Sequence, residues 1–198
     1  MTSLHPVKRC QWATSAPDFP HYHDNEWGFP VADDQKLFEK LCLETFQSGL
    51  SWRTILNKRD NFRLAFAQFD FNQIAKFDES DVQRLLQDKG IVRNQRKILA
   101  VINNAKRAQE MVIEEGSLAA FLWRFEPNTC SAYQPISQTT CPESIALAKE
   151  LKKRGWQFVG PTTLYAFMQS MGLINDHEED CFLREKISLA RKSFKRPI

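Results

Sequence analysis

Glycine is scarce in this chain of 198 residues, at 7. No Asn-Gly or Asp-Gly pair sits between alternating runs, so the turns that build β-hairpins are missing and an all-α fold is expected. No apolar run approaches the ~20 residues that span a bilayer, which excludes a helical membrane protein. The opening MTSLHPVKRC lacks the apolar centre of a secretory signal, so a cytoplasmic location is expected. In that compartment an odd set of five cysteines (Cys10, Cys42, Cys130, Cys141, Cys181) reads as thiols or metal ligands rather than disulfides. A strong charge is also missing. The net charge of +3 permits a nucleic-acid partner without requiring one. There is no internal repeat and no low-complexity tract. With 42% hydrophobic residues the chain fits one globular domain spanning 1–198.

What is present is mostly helical periodicity. Asp33-Asp34 precede LFEKLCLETFQSGLSW, an N-cap signal before an apolar run. On that helix Leu37, Leu41, Glu44 and Ser48 share a stripe. A second helix is expected over Thr54 to Phe69, and a short third over NQIAKF. Ser80 is placed as the cap of DVQRLLQD, with Gly90 as its terminating glycine. NQRKILAVINNAKRAQEMVIEE carries Ile98, Val101, Ile102, Ala105, Ala108 and Val112 at helical spacing, and Gly116-Ser117 separates it from LAAFLWRF. Residues 127 to 142 read as a long loop. Pro142 opens a helix that Gly155 ends, and Pro161 opens the next. Residues 182–198 form a basic tail, either a peripheral helix or frayed.

Two stretches concentrate unusual chemistry. FPHYHDNEW, Phe19 to Trp27, packs histidines, acids and aromatics together, and NDHEEDC lies near the other end. Cys10 and His23 form one pair; His177 and Cys181, at i and i+4, form another that one helical turn would align. Together they make a Cys2His2 set suited to tetrahedral zinc, which would tie the two ends of the chain together as a closed structural site. The alternative is a buried thiol pair with two surface histidines.

Trp12, Phe19, Tyr22 and Trp27 crowd around these ligands. They read as a small satellite core or, collectively, as a stacking pocket, since every nucleobase offers a π-face. Glu44 supplies the polar anchor. A carboxylate in so apolar a helix is costly without a partner, so it forms a salt bridge, reaches water from an edge position, or lines a ligand pocket. After it comes QSGLSW, where Gly49 ends the helix, Leu50 is exposed and Trp52 turns back as another wall. Further on, LKKRGWQFVGPTTLYAF has the form of two helices around a tight turn, a helix-hairpin-helix that offers backbone N–H groups to DNA phosphates. Lys149, Lys152, Lys153 and Arg154 lie just upstream.

HDNEWG, LETFQSGLSW, LLQDKGIVRNQRKI and KKRGWQFVGPTTLYAFMQSMGLINDH together resemble the bacterial 3-methyladenine DNA glycosylase I (Tag) family, from about Arg9 to Cys181. The resemblance implies the all-α helix-hairpin-helix glycosylase fold, with N- and C-terminal segments tethered by one structural Zn2+ on Cys10, His23, His177 and Cys181. It implies a base pocket of Trp12, Tyr22, Glu44 and Trp52, in which Glu44 and Tyr22 hydrogen-bond the base and the tryptophans stack on it. DNA contacts are expected from Leu50, Gly160, Pro161 and Thr162. Phe19 stands where family members often carry tyrosine, Trp156 where phenylalanine is usual, and Phe158 where the wider superfamily has its first hairpin glycine.

The implied reaction is hydrolysis of the N-glycosidic bond of N3-methyladenine in double-stranded alkylated DNA, by a monomer, with free 3-methyladenine as product. The nucleotide must first leave the stack, and Leu50 is the candidate wedge. Glu44 is expected to act by recognition and electrostatics. Asp176 either assists the water or orients the neighbouring ligand His177. Pro161-Thr162-Thr163 holds no lysine where bifunctional relatives carry one, so a monofunctional enzyme is expected. Two rival readings are a protein that binds methylated DNA without cutting it and a zinc hydrolase, which would need an open metal position.

Overall fold

The computed structural model of the chain describes residues 7–128 and 138–198. Among them are eleven α-helices and no strand. They are α1 Phe19–Asn25, α2 Asp34–Gln47, α3 Trp52–Asn57, α4 Arg59–Ala65, α5 Phe71–Ile74, α6 Glu79–Gln87, α7 Gln95–Glu115, α8 Leu118–Trp123, α9 Pro142–Lys153, α10 Pro161–Ser170 and α11 Arg184–Ser193. No helix is long and apolar enough to cross a membrane. The expected loop over residues 127 to 142 falls mostly on 129–137, outside the described residues.

The bundle is built around α2. From Leu37 to Phe46 only Glu39 escapes burial, and the helix touches α3, α7, α8 and α10. A helix buried on all sides is the centre of its bundle. Its two leading aspartates divide the capping work. Asp33 accepts from Lys36 N at 2.8 Å and caps α2 itself. Asp34 reaches across to α8 and accepts from Leu118 N at 3.0 Å and Ala119 N at 2.8 Å. One carboxylate thus satisfies donors that open another helix. Beneath α2, Phe46, Phe62, Phe66 and Phe69 pack with successive centroids 4.6 to 6.3 Å apart, the spacing at which aromatic pairs attract.

Three local expectations need correction. The single helix over Thr54 to Phe69 is two, α3 and α4, parted at Lys58 (φ −102°, ψ 0°). It then ends in a left-handed turn at Ala67, Gln68 and Phe69, a conformation costing about 1–2 kcal/mol per residue that seats Phe69 in the aromatic stack. The cap of α6 is Asp78, which makes a capping box with Asp81 and leaves Ser80 inside the helix. A carboxylate accepting two N–H groups outcompetes the serine hydroxyl. Gly90 does not terminate that helix, which stops at Gln87; a Cβ there would lie 2.9 Å from Asp88 Oδ1 and 3.0 Å from Asn61 Cβ. Gly116 (φ 85°), Pro142 and Pro161 play the parts expected of them.

The N-terminal segment is sewn to the C-terminal half by backbone hydrogen bonds. Gly28 N donates to Ser170 O at 3.1 Å, Val31 N to Met171 O at 3.3 Å, and Phe182 N to Lys8 O at 2.9 Å. Gly172 permits this approach, since a Cβ on it would sit 2.5 Å from Pro30 N. Of the two readings of the tail, the helix holds: α11 buries Ile187, and Arg191 donates to Leu173 O at 2.8 Å.

Candidate active site and metal cluster

Between the N-terminal segment, α2, α3 and α10 lies a cavity of about 240 Å3 lined by Trp12, Tyr22, Trp27, Lys40, Glu44, Gln47, Trp52, Ala166 and Gln169. That is smaller than the about 300–1,000 Å3 of sites for drug-sized ligands, and suits something nearer a single flat ring system. The four residues expected to form a pocket arrive from separate elements. Trp12 comes from the 3-10 turn Gln11–Thr14, Tyr22 from α1, Glu44 from α2 and Trp52 from the start of α3. Ser51 fixes that start by accepting from Thr54 N at 3.2 Å. The Tyr22 and Trp52 rings are 5.3 Å apart, and Trp12 meets Trp27 edge-on at 5.1 Å. Phe19 packs edge-on against Trp12 at 5.8 Å rather than lining the cavity.

Glu44 both forms a salt bridge and lines the cavity, because its ion-pair partner lines the cavity too, while its burial rules out an edge position open to water. Lys40, one turn earlier on α2, places Nζ 2.7 Å from Glu44 Oε1, and both side chains are buried. The ammonium also donates to the Tyr22 hydroxyl at 2.9 Å and sits 3.4 Å from the centre of the Trp52 ring. It therefore covers one face of that tryptophan. Burial works against the Lys40 ammonium, but the Glu44 carboxylate and the Tyr22 hydroxyl outweigh it and hold its pKa above the ordinary lysine value. Burial also raises the Tyr22 phenol. Lys40 is the functional residue that sequence reasoning missed. A lysine and a glutamate at i and i+4 usually mark a solvated helix face, and only the burial of α2 turns the pair inward.

Gln169 forms part of the wall, and Asp176 stands behind it. Its carboxylate accepts from Gln169 Nε2 and, at 3.2 Å, from the Tyr165 hydroxyl. Asp176 is fully buried and does not line the cavity; these contacts bind it to α10.

The helix-hairpin-helix is α9, a turn and α10. Gly155 turns it with φ 79°, and Phe158 adopts φ 56° where an L-residue is strained. Asn104 of α7 holds this turn by donating to Gln157 O at 3.0 Å and accepting from Gln157 N at 2.8 Å. Gly160 is the N-cap of α10 and offers no side chain, and the helix opens with Pro161 and an exposed Thr162. An open N-terminus of this kind favours anions. Of the basic run, Arg154 is taken up by Glu114, Glu115 and Glu150, while Lys149, Lys152 and Lys153 are exposed. Leu50 is 43% exposed, three residues past the cavity-lining Gln47. Its loop is anchored by Lys97, whose buried ammonium donates to Phe46 O at 2.7 Å and Ser48 O at 2.6 Å.

Adjoining the cavity, Cys10, His23 and Cys181 form a buried group whose donor atoms lie within 4.8 Å of one another and could hold a metal ion. His23 Nε2 faces Cys181 Sγ at 3.5 Å while its Nδ1 is held by Asp24 at 2.8 Å, an arrangement common behind metal-ligating histidines. His177 stands outside that group of three but beside it, its ring 5.2 Å from that of His23. Its Nδ1 contacts Asn175 Oδ1 at 2.9 Å, and its Nε2 is buried without a hydrogen-bond partner. A buried imidazole nitrogen with no partner, next to two thiols and a second imidazole, fits a ligand set for a soft divalent ion. Burial, with His23 and Arg184 nearby, pushes the His177 pKa down to about 3, so it stays in the neutral form that ligates. Burial pushes the Cys10 thiol up to about 12, a preference that a bound cation would reverse. Gly28 makes room for His177, because a Cβ there would lie 2.6 Å from the imidazole Cε1. His21 is exposed and is not a member of this group.

The family model for methyladenine glycosylases matches residues 12–184. The chain belongs to that family. It is 45% identical over 179 residues to DNA-3-methyladenine glycosylase 1 of Escherichia coli K12, covering 88% of this chain and 96% of that protein. Among solved structures, a crystal structure of 3-methyladenine DNA glycosylase I (TAG) superposes with TM-score 0.82 at 48% identity, over 88% of this chain and 98% of that one. The Staphylococcus aureus enzyme, solved to explain its 3-methyladenine recognition, gives TM-score 0.84 at 32% identity over 91% of this chain and 98% of its own. The family match takes in Trp12, Tyr22, Lys40, Glu44, Trp52 and the whole hairpin, and it stops in the first residue of α11.

Proposed function

We propose that this protein is a monofunctional DNA glycosylase that hydrolyses the N-glycosidic bond of N3-methyladenine in alkylated double-stranded DNA, releasing the free base and leaving an abasic site. The observation that carries the reading is the cavity: aromatic walls around one carboxylate paired with a lysine, in a member of the methyladenine glycosylase family.

The hairpin and the open N-terminus of α10, with Gly160, Pro161 and Thr162, take the DNA backbone. The lesion is flipped out of the stack, which costs least for a damaged base, and Leu50 fills the gap. Trp12 and the free face of Trp52 sandwich the base, while Tyr22 and Glu44 hydrogen-bond its edge. The methyl group leaves positive charge on the base, so the leaving group is already activated. Lys40 largely neutralises Glu44, so the pocket acts through directed hydrogen bonds and stacking more than through a net negative field. Asp176 braces Gln169 and Tyr165 and serves as a positioning residue for the wall.

Lys40 also bears on the monofunctional assignment, since a lysine in such a pocket is a candidate Schiff-base nucleophile. A nucleophilic amine must lose its proton. Here the ammonium is held charged by Glu44 and Tyr22, which supports simple hydrolysis. Cys10, His23, His177 and Cys181 would together hold one zinc ion. Four protein ligands leave no open position, so its contribution is to staple the two ends of the chain.

Methylated supercoiled plasmid tests this. The protein should create sites that nick only after alkali, with no adduct trapped by borohydride. Nicking without alkali, or a trapped protein–DNA adduct, would overturn the monofunctional reading.

A further inference from the structure

We infer that Lys97 is a positioning residue for the flipping step: its buried ammonium fixes the last turn of α2 and so holds Leu50 where it can enter the duplex as the lesion leaves. This deepens the glycosylase reading and rests on it, with Leu50 as the wedge.

Lys97 stands where a lysine is costly. It is 6% exposed, and an ammonium taken out of water needs compensation. It lies in the first turn of α7, whose cap Asn94 accepts from Lys97 N at 3.2 Å. A cation in that turn opposes the dipole of its own helix. Burial lowers its pKa, and no carboxylate among the described residues counters the shift. A methionine would fill the same space without these costs. What the ammonium gains is two carbonyls of another helix, Phe46 O at 2.7 Å and Ser48 O at 2.6 Å. Both belong to the C-terminal end of α2, where carbonyls lack partners within the helix.

The consequence falls on the loop from Ser48 to Ser51, which joins α2 to α3 and is exposed throughout. Gly49 turns it with φ 80°, and a Cβ there would meet nothing within 4 Å. Within the turn, Leu50 N donates to Gln47 O at 2.6 Å. At the far end Ser51 caps α3 by accepting from Thr54 N, and at the near end Lys97 grips the carbonyls. Leu50 is thus free at the tip of a loop held at both ends. A side chain that takes the place of a base works against restacking, so it needs a stiff support. Gln47, between the two carbonyls that Lys97 holds, lines the base cavity, and the same grip sets wedge and cavity wall in one frame. The charge acts as well. The carbonyl end of α2 is partly negative, and phosphates must come near it for Leu50 to enter. Lys97 offsets that charge.

The test is single-turnover release of 3-methyladenine from methylated duplex and from the same DNA as single strands. Wild type, Lys97→Met, Leu50→Ala and the double variant are compared. Methionine follows the lysine stem and brings no charge to bury; Lys97→Gln, which keeps an N–H donor, is the second variant should methionine fail to fold. Lys97→Met should slow release from duplex about tenfold, the scale of one hydrogen bond to a charged group, and release from single strands less than about twofold. In the Leu50→Ala background the same change should add less than about twofold, because residues that act through one another are not additive. A role in overall stability alone would slow both substrates alike and multiply with Leu50→Ala. Either of those results would overturn the assignment of Lys97 and leave the glycosylase reading in place. Leu50→Ala protein as fast as wild type on duplex would overturn the wedge and this inference together. Failure of the wild-type protein to release the base from either substrate would overturn the glycosylase reading as well.

Discussion

Asn104→Leu should loosen the hairpin without disturbing the base pocket. Asn104 is 2% exposed on α7 and carries no charge. Its side chain donates to Gln157 O at 3.0 Å and accepts from Gln157 N at 2.8 Å, closing both backbone groups of one turn residue. Leucine has a similar shape and makes neither bond. A neutral hydrogen bond contributes about 0.5–1.5 kcal/mol net, so losing the two bonds to Gln157 costs about 1–3 kcal/mol; Asn104 Oδ1 also accepts from the half-buried Asn103 Nδ2 at 3.2 Å, which keeps its bond to Gly155 O. Gln157 is exposed, so water replaces part of the loss and the expected value is about 1–2 kcal/mol. For a chain of this size each kcal/mol moves the melting temperature by about 2–4 °C, giving a fall of about 2–8 °C by calorimetry. Affinity for duplex DNA should drop, because the turn that presents α10 is no longer fixed. Affinity for free 3-methyladenine should hold, because the ligand-facing groups come mainly from Trp12, α1, α2 and Trp52. An unchanged melting temperature, or a loss confined to base binding, would refute the clamp.

Four further outcomes are expected. Leu50→Ala should slow single-turnover excision from duplex DNA far more than from single strands, since only a duplex leaves a gap to fill; equal slowing would remove the wedge. Asp34→Ala should cost about 1–2 kcal/mol by urea unfolding, the range for a lost helix cap, even though α8 lies 84 positions away along the chain; a loss within error would deny the cross-capping. Metal-free protein should lose stability as pH falls from about 6.5 toward 3. Burial holds His177 near 3 and His23 below its ordinary value, so the unfolded chain binds more protons across that window and stability rises with pH. A flat profile of unfolding midpoints between pH 7 and 4 would contradict it, and metal analysis of native protein should find about one zinc per chain.

Much of the site was legible because it rests on residue types with few uses. Two cysteines and two histidines placed near opposite ends pointed to one location, and the structure brings Cys10, His23 and Cys181 together with His177 beside them. Trp12, Tyr22, Glu44 and Trp52, the set that the family resemblance implied, meet at one cavity, and of the aromatic cluster around them Trp27 joins it and Phe19 does not. Punctuation by Asp33, Gly116, Pro142 and Pro161 acts within a few residues and could be read locally. What escaped depends on distant partners. Lys40 reads as half of a surface pair until α2 is known to be central. Asn104 reads as a weak position in a long helix until the hairpin is laid against it. Asp34 caps a helix that sequence order places far away. The helix α1 was hidden because FPHYHDN spends its side chains on the site and shows no apolar period.

The account stands or falls on which base the protein removes. Purified wild-type protein should be incubated with methylated duplex DNA and the released bases identified by chromatography. The account predicts free 3-methyladenine in the supernatant, with 7-methylguanine left in the DNA. Folded, metal-replete protein that binds the duplex and releases no base would contradict it, and would leave a helix-hairpin-helix protein that recognises alkylated DNA without cutting it.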